Sequence, residues 1–202
     1  RAEPAVSRRM LVMAPNWLGD AVMALPAVRA VRAALPDAAI DVAARETVAP
    51  LFRLAASFDR VVTLEGPDRG LAALGGGGYD TAILFPNSFN AARLARRAGI
   101  AERWGYRTDF RSWLLTRSVP PPVRAHQIDY YLQLVNALGF PGGGEAPRID
   151  VTDQLRAVGA SMLKTAGWDV AAPLVAMAPG AAFGAAKRWP SASFASVADR
   201  LA

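Results

Sequence analysis

MLVMAPNWLGDAVMALPAVRAVR, residues 10–32, decides how the rest of the chain is read. An apolar run over 10–14 passes through a short polar turn and then into apolar residues at helical spacing, which is the pattern of a buried strand feeding a helix. Working outward, further β-type runs occur at 40–44, 61–64 and 81–85, with helix-like stretches at 21–35 and 48–56 between them. Strands alternating with helices predict a parallel α/β sheet covered on both faces, a Rossmann-like arrangement. In such sheets ligands sit at the carboxyl ends of the strands, and Asp20 falls there, where the first helix begins.

The remaining punctuation supports the same layout. Glycines 75–78 read as the loop entering the fourth strand. Residues 127–138 have helical spacing and stop at Gly139, a C-cap signal, and PGGGEAP (141–147) marks a turn or linker. A further helix is expected over 154–166. A strand over 174–178 then leads into PGAAFGAAKRWP, residues 179–190. The expected division is a disordered tail over 1–9, a domain over 10–170, and the start of a second domain over 171–202. The chain begins on Arg1 and stops within SASFASVADRLA, which reads as part of a longer protein.

Composition narrows the chemistry. With 202 residues, 52% of them apolar, the chain can bury a real core. No apolar run approaches the ~18 residues that span a bilayer, and the first ten residues lack the apolar core of a signal peptide. One histidine and no cysteine argue against a zinc site of ordinary ligand type and against disulfides, which fits the cytosol. There is no D-x-D pair to hold a metal at a nucleotide-sugar diphosphate. The first turn has one glycine where a dinucleotide site has three, and Arg188 stands where a Walker loop has Ser or Thr after the lysine. A net charge of +6, nearly all arginine, favours anionic partners, although arginine-rich genome composition explains part of it.

Two turns remain as candidate sites. In 179–190, Gly180 and Gly184 let backbone N–H groups approach an anion. Lys187 supplies full charge, and a helix beginning near Ser191 presents its positive end, so the set is suited to a diphosphate; a solvated surface turn is the bland alternative. Asp20 reads either as the N-cap of the first helix or as a carboxylate presented for proton transfer. On the helix that Ser88 is expected to cap, Arg93, Arg96 and Arg97 share one face, with Arg107 and Arg111 on the next loop, and Asn87 and Ser88 directly follow a strand. These arginines form either a solvated face or an anion cradle. His126 reads as a cap or surface residue.

NWLGDAVMALPAVRAVRAALPDAAIDV, FPNSFNAARLARRAGIAERWGY, HQIDYYLQLVNALG and PGAAFGAAKRWP fall in the order and spacing of glycosyltransferase family 9. The chain resembles the lipopolysaccharide heptosyltransferases of that family, and its heptosyltransferase II branch most. The resemblance runs from Met10 onward and corresponds to the first lobe and the opening of the second lobe of a two-lobed GT-B enzyme. It implies inverting, metal-independent transfer of heptose from ADP-heptose to the lipid A inner core, without a cofactor, at the cytoplasmic face of the inner membrane in peripheral contact with its surface. It implies Asp20 as general base in a turn shaped by Trp17 and Gly19, and a donor diphosphate held by Gly180, Gly184, Lys187 and Ser191. It also implies an acceptor met by Trp17, Gly19, Asn87, Ser88, Arg93, Arg96, Arg97, Arg107 and Arg111. Ala182 and Ala185 depart from the acidic residue and proline common in the family. A non-catalytic nucleotide-binding module and a family 9 enzyme with another acceptor are the alternatives. Nucleic acid is not expected as a partner, since no zinc finger, RNA motif or recognition helix is present.

Overall fold

The computed structural model describes residues 9–55, 57–181 and 185–201. Residues 1–8 of the expected tail lie outside these, while Arg9 already belongs to the first strand. The chain divides into two compact units, residues 1–150 and 151–202, so that the helix expected over 154–166 groups with the later residues rather than with the earlier ones.

The first unit is built on a six-stranded sheet: β1 (Arg9–Met13), β2 (Ala39–Arg45), β3 (Arg60–Leu64), β4 (Thr81–Leu84), β5 (Glu102–Tyr106) and β6 (Arg117–Val119). The order is β3-β2-β1-β4-β5-β6 and every pairing is parallel. The order reverses between β1 and β4, and this opens a crevice at their carboxyl ends. Side chains alternate between two cores, as a two-residue period requires. Met10, Val12, Ile40, Val42 and Ile83 point to one, and Leu11, Met13, Ala43, Ala82 and Leu84 to the other.

Helices α1 (Leu18–Ala34), α2 (Ala49–Phe52) and α5 (Gln127–Ala137) cover the first core, while α3 (Gly66–Gly75) and α4 (Phe89–Arg97) cover the second. Ala21, Ala24, Leu25, Val28 and Val31 form the buried stripe of α1. Burying a Leu or Val of this kind is worth about 1.5–3 kcal/mol relative to exposure. Arg32 then ends the helix by donating to the carbonyls of Leu35, Pro36 and Ala38 and to Asp59. Helix α5 stops as expected: Gly139 has φ +98°, its N–H bonds the Asn136 carbonyl and the Phe140 N–H bonds that of Val135, a Schellman closure with Phe140 buried beneath it. His126 caps the start of α5, Nδ1 accepting from the Ile128 N–H at 3.4 Å.

Several expectations need correction. The helix predicted over 48–56 is shorter, α2 alone, and α3 occupies glycine-rich sequence that was not expected to be helical, with Gly75 as its last residue. Strands β5 and β6 were not foreseen. In the second unit, α6 (Asp153–Thr165) is capped by the Thr152 hydroxyl, which accepts from the Leu155 N–H, and α7 (Ser191–Leu201) follows. The strand expected over 174–178 does not form. Extended backbone needs a ladder partner, and no strand exists among the described residues of this unit.

Candidate functional site

The β1–α1 turn sits on one side of the crevice. Helix α1 begins at Leu18, with Trp17 at the N-cap and making no side-chain cap bond, so Asp20 is the third helical residue and not the cap that was one reading of it. An acid in the first turn is stabilised by the helix dipole. Asp20 is half-buried, whereas Trp17 is 61% exposed and Gly19 exposed. A Cβ at Gly19 would meet nothing within 4 Å, so no contact in the chain itself demands glycine there.

Asp20 faces a tyrosine cluster on α5 that sequence reasoning missed. Tyr131 packs on Phe85, with ring centroids 5.1 Å apart, and its hydroxyl is pushed up to about 12 by burial and by the Asp20 and Tyr130 charges, against a hydrogen bond from Gln127. Tyr130 packs on Tyr106, with ring centroids 4.5 Å apart and the planes tilted by 48°, and accepts a 2.8 Å hydrogen bond from the Asn87 amide. The Tyr106 hydroxyl donates to the Tyr130 carbonyl at 2.7 Å. The adjacent tyrosines in HQIDYYLQLVNALG were the available signal, because a Tyr pair on a core-facing helix must find partners for its hydroxyls.

The β4–α4 turn forms the other side. Ser88 caps α4 as expected, its hydroxyl accepting from the Ala91 N–H at 3.3 Å. A cavity of about 600 Å³ opens here at the ends of β1 to β4, with Asn16, Glu46, Glu65, Ser88, Arg93 and Arg97 on its wall. Ser88, Arg93 and Arg97 are thus brought together. Arg96 is turned away: its guanidinium lies 5.5 Å from the ring centroid of Trp113, which in turn packs on Phe89 at 6.0 Å. Trp17, Asp20, Asn87 and Arg107 are not among the wall residues, and Arg107 is exposed at the end of β5.

Arg111, expected among the acceptor-facing arginines, is fully buried. Its guanidinium donates to the carbonyls of Tyr106 (3.0 Å), Pro86 and Ser88 (3.4 Å), and so ties the β4–α4 turn to β5. Gly105 makes room for it: a Cβ there would stand 3.1 Å from Nη2 and 3.2 Å from the Leu84 carbonyl oxygen. Burial pulls Arg111 down to about 10, with the Tyr130 and Asp109 charges acting in the opposite sense. It supports the turn from beneath.

In the second unit, Gly180 has open space around it, Lys187 ends the 3₁₀ turn Ala185–Lys187 and is exposed, and Ser191 is the first residue of α7. Gly184 and Ala182 lie outside the described residues. The Arg188 guanidinium donates to the Ala181 carbonyl at 3.2–3.3 Å, so of the Lys-Arg pair one member braces the turn. Among the described residues no three His, Cys, Asp or Glu side chains converge as metal ligands, and no helix is long and apolar enough to cross a membrane.

The fold is shared with known proteins. The chain is 29% identical over 208 residues to lipopolysaccharide heptosyltransferase 2 of Salmonella typhimurium, and 28% identical over 211 residues to its namesake in Escherichia coli; 96% of the chain is covered in each case. It spans about 60% of the length of these curated relatives. Its fold superposes on the structure of E. coli ADP-heptose lps heptosyltransferase II with a TM-score of 0.80 at 27% identity, covering 96% of this chain and 61% of that one. A family 9 glycosyltransferase from Veillonella parvula matches in fold with a TM-score of 0.83 at 21% identity, over 96% of this chain and 59% of the other. The model of glycosyltransferase family 9 (heptosyltransferase) matches residues 69–202, which includes the α4 arginines and the Lys187 turn; the chain therefore belongs to that family.

Proposed function

We propose that this chain provides the acceptor-binding part, and the opening of the donor-binding part, of an inverting, metal-independent heptosyltransferase of the heptosyltransferase II type. Residues 10–170 would serve the acceptor and residues 171–202 would begin the donor domain. The donor is ADP-heptose and the acceptor a heptosylated lipid A inner core, reached at the cytoplasmic face of the inner membrane. The observation that carries the reading is a half-buried carboxylate, Asp20, in the first turn of α1 at the switch point of a family 9 sheet, with Arg93 and Arg97 on a cavity at the same end.

In this mechanism Asp20 takes the proton of the acceptor hydroxyl while that oxygen bonds to the anomeric carbon of heptose. The bond from that carbon to the diphosphate breaks on the opposite face, inverting the centre, and ADP leaves with the electron pair. Lys187 and the N-terminus of α7 offset the charge that grows on the leaving phosphates. Asn87 and Ser88 hydrogen-bond sugar hydroxyls, Arg93 and Arg97 meet the anionic core, and Arg111 keeps the Pro86–Ser88 carbonyls in register.

The test uses the protein extended to the length of its relatives. Lys187→Ala should slow transfer by about 10²–10³, or ~3–4 kcal/mol, and EDTA should change the rate little. Abolition by EDTA would overturn the metal-independent reading. This chain by itself should bind ADP-heptose weakly in calorimetry, and tight donor binding would contradict the division of labour.

A further inference from the structure

Between β5 and β6 the backbone turns an aromatic residue outward at a conformational cost. Asp109 and Phe110 both have positive φ, 50° and 51°, a region that residues bearing a Cβ seldom occupy. Their neighbours hold them there. The Asp109 carboxylate accepts from the Phe89 N–H at 2.7 Å, and Arg111 is anchored on the carbonyls of Tyr106, Pro86 and Ser88. Between these two anchors Phe110 is 94% exposed, and three residues on Trp113 is 66% exposed. The two anchors account for the backbone, but the ring itself, so exposed, touches almost none of the protein.

Cations border the pair. The Arg96 guanidinium lies over Trp113, Arg93 and Arg97 belong to the same helix, and Arg107 is exposed two residues before Asp109. We propose that the Phe110–Trp113 loop is a membrane-docking tip, its two rings entering the headgroup region of an anionic bilayer while Arg96 and Arg107 meet lipid phosphates. A tryptophan with an apolar body and one N–H donor suits that interface, and basic residues beside exposed aromatic side chains are what binding to anionic lipid requires. Lipid suits the shape better than a protein partner does, because Phe110 projects alone while Trp113, packed on Phe89 and covered on one side by Arg96, offers its exposed part among cations. The inference deepens the proposed function and rests on it for its purpose: the loop abuts the helix that carries Arg93 and Arg97, so docking would bring that cavity to a lipid-borne acceptor.

Flotation of the 202-residue chain with phosphatidylcholine vesicles, with and without phosphatidylglycerol, tests the surface. Wild type should float with the anionic vesicles and much less with the neutral ones. Phe110→Gly and Trp113→Ser should each weaken flotation about tenfold, and together abolish it. Phe110→Gly should keep or raise the thermal midpoint, because glycine accepts positive φ, so loss of binding in that variant is not unfolding. Equal flotation of wild type and both variants, or indifference to phosphatidylglycerol, would overturn the proposal. In the extended enzyme both variants should transfer normally to a deacylated, water-soluble acceptor and poorly to one embedded in vesicles. Equal loss on both would assign the loop to the sugar site and overturn the proposal too. If wild type transfers to neither acceptor, the heptosyltransferase reading fails while the flotation result still decides the surface.

Discussion

At the amino end of the sheet Asp41 is 2% exposed yet fully engaged: its Oδ2 accepts from the Tyr79 hydroxyl at 2.7 Å and from Arg60 at 2.8 and 3.2 Å, with Arg9 at 3.5 Å. Arg9 also lies over the Tyr79 ring. At the carboxyl end of the same strands the choices are reversed. Trp17, Leu18, Phe110 and Trp113 are exposed, Asp109 and Phe110 are strained, and Asp20 is half-buried. One end uses its polar groups to satisfy one another. The other leaves apolar and charged groups facing outward, as sites that meet ligands must. Stability and chemistry are thereby separated by the length of a strand, and substitutions at the two ends should fail in different ways.

The largest expected effect breaks the carboxyl end alone. In the extended enzyme Asp20→Asn should lower turnover by about 10²–10⁴, the range for a general base, yet cost less than about 1 kcal/mol of folding free energy, since Asn forfeits only the favourable charge in the first helical turn. Steady-state rates and urea unfolding on one preparation check this, and wild-type turnover would remove Asp20 from the mechanism. The mirror experiment is Asp41→Ala, which removes the acceptor of the buried Tyr79 hydroxyl and leaves it only the bond that Arg60 donates at 3.2 Å. It should cost about 1–3 kcal/mol in urea unfolding, limited by the exposure of Arg60, with the transfer rate per folded molecule unchanged. A rate loss larger than the stability loss would join the two ends functionally.

The smallest effect concerns pH and sharpens the comparison at the tyrosine cluster. Tyr131 is raised from 10.0 to about 12 in the folded state, so between those values the native protein keeps a proton that the unfolded chain has released. Stability from this group is complete below pH 10 and falls as pH rises toward 12, by up to ~1.4 kcal/mol per pH unit. Tyr106 is shifted in the same direction by burial. Tyr131→Phe should therefore flatten the alkaline limb of the unfolding curve without abolishing it. An unchanged limb would mean that Tyr131 does not hold its proton more tightly when folded.

Much of this architecture was legible in the chain. Strands β1 to β4 are apolar runs flanked by turn residues, and α1 and α5 have a clear buried stripe. β5 and β6 were not, because their polar residues are satisfied by pairings invisible in sequence: Glu102 accepts from the Trp104 indole and the Thr116 hydroxyl, and Arg103 donates to the carbonyls of Ile100, Ala101 and Leu114. The position of Asp20 at the end of β1 was legible, but its place inside the helix was not, since Leu18 and Gly19 give no start signal. Arg111 was misjudged for the same reason as β5: an arginine is read as surface unless one knows that two turn carbonyls and one at the end of β5 converge on it. The run over 174–178 is apolar enough for a strand, but an apolar run becomes a strand only where another strand lies beside it.

In the proposed function the carboxyl end of the first unit binds the anionic sugar acceptor. Calorimetry of this chain with a deacylated, heptosylated inner-core oligosaccharide, in the absence of donor, tests it most directly. Binding should weaken with salt, be lost when Arg93 and Arg97 are both replaced by Gln, and be untouched by Lys187→Ala. Absence of acceptor binding in a folded chain, or equal binding by the arginine double variant, would contradict it.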